Sequence, residues 1–132
     1  MHVHESLKDI TIQLNSNPEK DEQLAFGSFL DDFYRADSKE KYEMLRDEPV
    51  YLSEKKECMA NLAASAHLLS IIFNLDIPEW VYDKKYIMDR PCFMYGEKDI
   101  ESEEAKEYFI KTSPIEYKQR NLFYGDNVLC RC

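Results

Sequence analysis

Apolar residues recur at helical spacing in nearly every stretch between the chain's five prolines. Val3, Leu7, Ile10 and Leu14 stand three or four positions apart and predict a first helix over residues 3–14. Asn15-Ser16-Asn17-Pro18 ends it, because proline cannot continue the hydrogen-bond ladder. Asn17 as N-cap with Pro18 in the first helical position then opens a second helix running to about Arg35. Its apolar face is Leu24, Phe26, Phe29, Leu30 and Phe33. Asp37 or Ser38 caps a short third helix that carries Tyr42 and Leu45 and stops before Pro49.

The pattern changes at Ser53, which is expected to open a fourth helix over about 54–73. Its second half is apolar nearly all round, through Ala60, Ala63, Ala64, Ala66, Leu68, Leu69, Ile71, Ile72 and Phe73. A helix apolar on all sides is buried on several sides, and its alanines let neighbours come close. Leu75 to Pro78 lead out of it, and Trp80 is expected to plug the core where the chain turns. Asp83 caps a short turn through Met88, and Glu97 to Lys111 form a further helix with its acids early and Lys111 late, as the helix dipole favours. Ser113 then caps a last short helix over Ile115–Gln119 with Pro114 first, residues 121–124 are extended, and Asp126 begins a final turn.

The expected fold is therefore all-α, a compact bundle of about five to seven helices around the alanine-rich central helix, in a single domain over residues 1–132. Composition agrees. Three glycines in 132 residues disfavour a turn-rich β fold, and 44% hydrophobic residues supply a core. A chain of this size buries about two-thirds of its unfolded surface without disulfides or metal. No apolar run approaches the ~18 residues of a membrane span.

The net charge of −9 is unevenly spread. Residues 1–50 carry 12 acidic against 6 basic side chains and residues 51–110 carry 12 against 7, whereas residues 111–132 carry 4 basic against 2 acidic. An acidic body disfavours direct nucleic-acid binding, which draws affinity from a basic patch that releases counterions. It suits solubility or a basic protein partner. Met1-His2-Val3-His4 has no basic region followed by an apolar run, so no signal peptide is expected, and the chain reads as cytoplasmic with reduced thiols.

Catalytic constellations are not in evidence along the chain. Gly27-Ser28 followed by Asp31-Asp32 has the residue types of a nucleotidyltransferase motif, but adjacent aspartates on a helix diverge by about 100° and do not chelate together. His2, His4, Cys130 and Cys132 have the chemistry of zinc ligands without Cys-x-x-Cys spacing, so no metal or other cofactor is expected. His67 sits on the most apolar helix and reads as a hydrogen-bonded core histidine, and Cys58 and Cys92 have no histidine close in sequence. There is no phosphate-cradling glycine loop and no Gly-x-Ser-x-Gly elbow. The one local basic excess, Lys111, Lys118, Arg120 and Arg131, is interleaved with Tyr117, Phe123 and Tyr124. Arginine with tyrosine is the composition of a protein-binding hot spot as much as of a single-strand platform, and the acidic body favours protein.

The order of these segments resembles a known group. Phe29-Leu30-Asp31-Asp32-Phe33-Tyr34, Glu48-Pro49, the alanine-rich helix, Ile77-Pro78-Glu79-Trp80-Val81, Arg90-Pro91-Cys92-Phe93 and Thr112-Ser113-Pro114-Ile115-Glu116-Tyr117-Lys118-Gln119-Arg120-Asn121-Leu122-Phe123, then Asn127-Val128-Leu129, together resemble small bacterial antitoxin-like proteins encoded beside nucleotidyltransferase-type toxins. The likeness covers residues 29–131. A similar pattern follows a helix-turn-helix module in some regulators, but the 28 residues before the match are too few for one, so autonomous operator binding is not expected.

The resemblance implies an antitoxin-like protein that binds and neutralises or regulates a cognate nucleotidyltransferase-type toxin, without catalysis of its own. An acidic surface would cover the basic cleft of such a partner, with charge speeding association and a buried aromatic or arginine cluster holding the complex. Trp80, Phe93, Tyr117, Arg120 and Phe123 are the candidate partner-binding residues. The alternative is an acidic nucleic-acid mimic that inhibits a nuclease or phage-defence complex.

Overall fold

A computed structural model of the chain describes residues 5–17, 21–93, 103–125 and 128–129. The first helix, α1, spans Leu7–Ser16 and opens with a capping box: Ser6 Oγ accepts from Asp9 N and Asp9 Oδ2 from Ser6 N. Asn17 closes this helix through its own N–H to Gln13 O, so it is not the cap of the next one. The second helix, α2, spans Glu22–Arg35, and Asp21 takes the capping role, its carboxylate accepting from Leu24 N at 3.2 Å. The Pro18 start lies outside the described residues. Leu24, expected on the apolar face, is 71% exposed, while Phe29 and Phe33 are wholly buried. The buried stripe runs through Ala25, Phe29, Leu30 and Phe33, and Leu24 falls outside it.

Asp37 caps α3, Ser38–Arg46, in a second capping box with Glu40. The central helix, α4, spans Lys56–Ile72. Ser53 does not cap it. Lys55 stands in the cap position with no side-chain bond to the helix, after a turn closed by Lys55 N to Leu52 O. What anchors this end is an ion pair from Lys55 to Glu22 of α2.

Two short 3-10 turns follow, Glu79–Tyr82 and Lys84–Tyr86, the second capped by Asp83 through Lys85 N. A helix α5 spans Glu103–Thr112, and the start expected at Glu97 falls outside the described residues. None of its side chains is buried. The last helix, α6, is one turn, Ile115–Lys118, with Pro114 before it. Ser113 makes no cap bond there. Its hydroxyl instead donates to Phe109 O and accepts from Gly125 N. Gly125 has φ +83°, and a Cβ there would stand 3.2 Å from Phe109 Cδ1, so both conformation and space call for glycine.

The extended segment after α6 finds a partner. Cys92–Phe93 (β1) and Leu122–Phe123 (β2) pair in parallel, Cys92 opposite Leu122 and Phe93 opposite Phe123. This two-residue ladder is the sole sheet among the described residues, and the fold is all-α. The final turn at Asp126 lies outside the described residues.

The core is organised by α4. One face, Met59, Leu62, Ala63, Ala66 and Leu69, joins Leu7, Ile10 and Leu14 of α1, Phe29, Leu30 and Phe33 of α2, and Trp80, Val81 and Tyr86. Another face, Ala60 and Ala64, packs against Tyr117 and Leu122. The alanines leave room for the Tyr117 ring, whose hydroxyl meets Ser65 Oγ at 2.6 Å. Among the described residues no helix is long and apolar enough to cross a membrane.

Candidate functional site: a pocket floored by Arg120

The turn after α6 carries a buried, multiply hydrogen-bonded arginine. Arg120 follows from α6 by the bond Arg120 N to Tyr117 O, and Asn121, at φ 64°, then bends the chain into β2. Asn121 Nδ2 donates to Met88 O at 2.6 Å, and Met88 N donates back to Arg120 O. The backbone here is thus tied to the segment after the 3-10 turns, and the Arg120 side chain is directed inward. It is 2% exposed.

Its guanidinium donates through Nη1 to Glu116 O at 2.6 Å and through Nη2 to Val81 O at 2.7 Å. Both nitrogens lie 3.4 Å from His67 Nδ1, and Gln119 Nε2 lies 3.3 Å from the same atom. With donors on that side, Nδ1 carries a lone pair and the imidazole proton belongs on Nε2. Burial, then the Arg120 charge, holds His67 below its ordinary pKa, with Glu116 opposing weakly. His67 is therefore a satisfied histidine on α4, packed edge-on against the Tyr82 ring with centroids 5.2 Å apart.

Among the described residues no carboxylate reaches salt-bridge distance of Arg120. Burial lowers its pKa, opposed first by Tyr82 and then by Glu116 and Tyr117. A cation this deep is usually paired. Here it forms part of the wall of a cavity of about 210 Å³, together with Val81, Tyr82, Asp83, Ile87 and Gln119.

Comparison with known proteins finds no match. Neither a family model, nor a curated protein, nor a solved structure matches the chain.

The residues singled out from the sequence are placed in three groups. Arg120 and Tyr117 belong to one turn, the first at the pocket and the second wholly buried beneath it. Phe93 and Phe123 are ladder neighbours with stacked rings 5.5 Å apart, Phe93 buried and Phe123 partly so. Trp80 precedes Val81 in the chain, but its ring points away from the pocket. It packs on Tyr86 at 5.5 Å, and its Nε1 donates to Leu45 O. Trp80 is 8% exposed. Trp80, Phe93 and Tyr117 are all buried. Tyr82, Ile87 and Gln119, which line the pocket, carried no mark in the sequence. Tyr82 stands two positions after Trp80, and the three-residue pitch of the 3-10 turn sets the two about 120° apart, one inward and one outward.

Other groupings do not converge. Lys118 lies on α6 with its amine 3.4 Å from Lys111 O, and Arg131 is outside the described residues. No three His, Cys, Asp or Glu side chains gather as metal ligands would among the described residues. The His2, His4, Cys130 and Cys132 set lies outside them.

Proposed function

We propose that this chain is a cytoplasmic binding protein of the antitoxin type, which holds and neutralises a nucleotidyltransferase-type partner. The reading rests on the likeness of residues 29–131 to antitoxin-like proteins and on the character of the pocket rim. Tyr82 is 58% and Ile87 44% exposed, on a surface anchored from beneath by Arg120 and His67. Helical spacing extends the same apolar surface. Ile71 lies one turn beyond His67 on α4, and Ile115 lies one turn before Gln119, and both are exposed. Clustered exposed aromatic and aliphatic side chains are the mark of an interaction surface.

The observation that carries the proposal is this apolar rim around a rigid, hydrogen-bonded base. A preorganised base adds little ordering cost on binding. The acidic body would steer a basic partner toward it, and the apolar rim would hold it. Affinity capture of the tagged chain from its native cytoplasm, followed by mass spectrometry, tests the reading. A stoichiometric nucleotidyltransferase lost on Tyr82→Asp substitution is the expected result. Recovery of a nuclease complex in its place would overturn it in favour of a nucleic-acid mimic.

A further inference from the structure

Arg120 has more hydrogen-bonding capacity than the fold uses. A guanidinium carries five N–H groups. Glu116 O, Val81 O and the single lone pair of His67 Nδ1 take at most three of them. At least two N–H groups are left without an acceptor among the described residues, on a side chain that is 2% exposed and borders the cavity. Val81, whose carbonyl takes one of the three, lines the same cavity as Arg120.

The remaining wall is consistent with an incoming anion. Asp83 is the one acid that lines the cavity, and its carboxylate is turned to Lys85, accepting from Lys85 N at 3.0 Å with the Lys85 amine 4.0 Å away. Gln119, which competes with Arg120 for the one lone pair of His67 Nδ1, has at least one amide N–H to offer. Tyr82, Ile87 and Val81 are apolar walls. At about 210 Å³ the space falls below the roughly 300–1,000 Å³ of pockets for drug-sized ligands, so the occupant is small.

We propose that this pocket binds a small organic carboxylate, its carboxylate accepting from Arg120 and Gln119 and its apolar body lying between Tyr82 and Ile87. A planar monoanion matches one guanidinium edge, and two parallel N–H bonds are its usual mode of recognition. A phosphate dianion would bring a second charge with no second cation in the wall to meet it. The site shares its rim, Tyr82 and Ile87, with the partner-binding surface proposed above, but it does not rest on that reading, because carboxylate binding is tested on the isolated chain.

The test is titration of the isotope-labelled full chain with benzoate, followed by backbone and side-chain NMR, with benzamide as the neutral isostere. Saturable shifts at Tyr82, Ile87, Gln119 and the Arg120 side chain are expected, with benzamide weaker by at least about tenfold. Ile87→Glu, an exposed position that puts a like charge at the mouth, is expected to abolish benzoate binding while leaving the fold's spectrum intact. That variant keeps the test decisive even if Arg120→Lys fails to fold. Equal binding of benzoate and benzamide, shifts confined to other surfaces, or undiminished binding by Ile87→Glu would each overturn the proposal. Preference for a glutamate side chain in a capped peptide over benzoate would overturn the small-molecule assignment.

Discussion

The indole N–H of Trp80 donates to the main-chain carbonyl of Leu45 at 3.0 Å, with the ring almost wholly buried. Leu45 lies in the last turn of α3, where carbonyls have no partner within the helix. One side chain therefore closes the end of α3 and fixes the 3-10 turn that carries the pocket wall. Trp80→Phe keeps most of the packing and orphans that carbonyl, and it is expected to cost about 1–3 kcal/mol in urea denaturation. Trp80→Ala adds a cavity and is expected to cost about 3–5 kcal/mol. Equal losses for the two would show that the hydrogen bond, and not the volume, dominates.

Tyr117 and Ser65 form a second such joint, between α6 and α4, with hydroxyls 2.6 Å apart and both residues fully buried. Tyr117→Phe is expected to destabilise by about 1 kcal/mol, and adding Ser65→Ala should cost less than the sum of the two single changes. Additive losses in that double-mutant cycle would mean the hydroxyls do not act as a pair.

His67 gives the fold a pH dependence whose sign follows from its surroundings. Burial and Arg120 lower its pKa in the folded chain, while the unfolded chain titrates near the ordinary 6.5. Between those two values the unfolded state binds more protons, so stability falls as pH drops through that window and is fully retained above it. Denaturation midpoints measured between about pH 5 and pH 8 should slope less for His67→Gln than for the parent chain. Parallel slopes would show that the imidazole is not held neutral.

The surface reading makes its own demand. Tyr82 is exposed and its removal leaves the Trp80 and Arg120 bonds in place. Tyr82→Ala is expected to weaken partner binding by about tenfold or more, near 1.4 kcal/mol, with an unchanged thermal midpoint. Calorimetry against the captured partner would read this directly, and unaltered affinity would remove Tyr82 from the interface.

Two thiols are predicted to be inert. Burial, with Glu22 adding to it, pushes Cys58 up to about 12, and burial with Glu57 pushes Cys92 up to about 11. The thiolate is the reactive form. Alkylation at pH 8 followed by peptide mass spectrometry should leave both unmodified in the folded chain and label them in urea. Rapid labelling of Cys58 without denaturant would contradict its raised pKa.

Helix positions were legible wherever a cap, a proline and an apolar stripe agreed. Asp37 before α3 is the clear instance, since its side chain, its Glu40 partner and the following periodicity all point to one start. Ser53 and Ser113 misled for a shared reason. A serine before a helical run has a cap's chemistry, but each can only cap if the backbone places it within reach, and Ser113 is claimed by Phe109 and Gly125. Leu24 misled because period alone does not say how wide the buried stripe is. Of the candidate site, Arg120 was visible as an arginine among aromatics, whereas Tyr82, Ile87 and Gln119 were not.

The sequence by itself determined that the chain is helical and that α4 lies at its centre. Local propensity, capping and hydrophobic period carry that information, because each acts within a few residues. Only the tertiary structure decided that Trp80 and Tyr117 face inward, and that Arg120 bonds the carbonyl of Val81, 39 positions earlier. Contacts of that separation depend on how helices dock, and docking depends on shape and volume summed over the whole core. The pocket exists for the same reason, because its wall is assembled from the 3-10 turns and the segment after α6, which meet only once α4 holds them both.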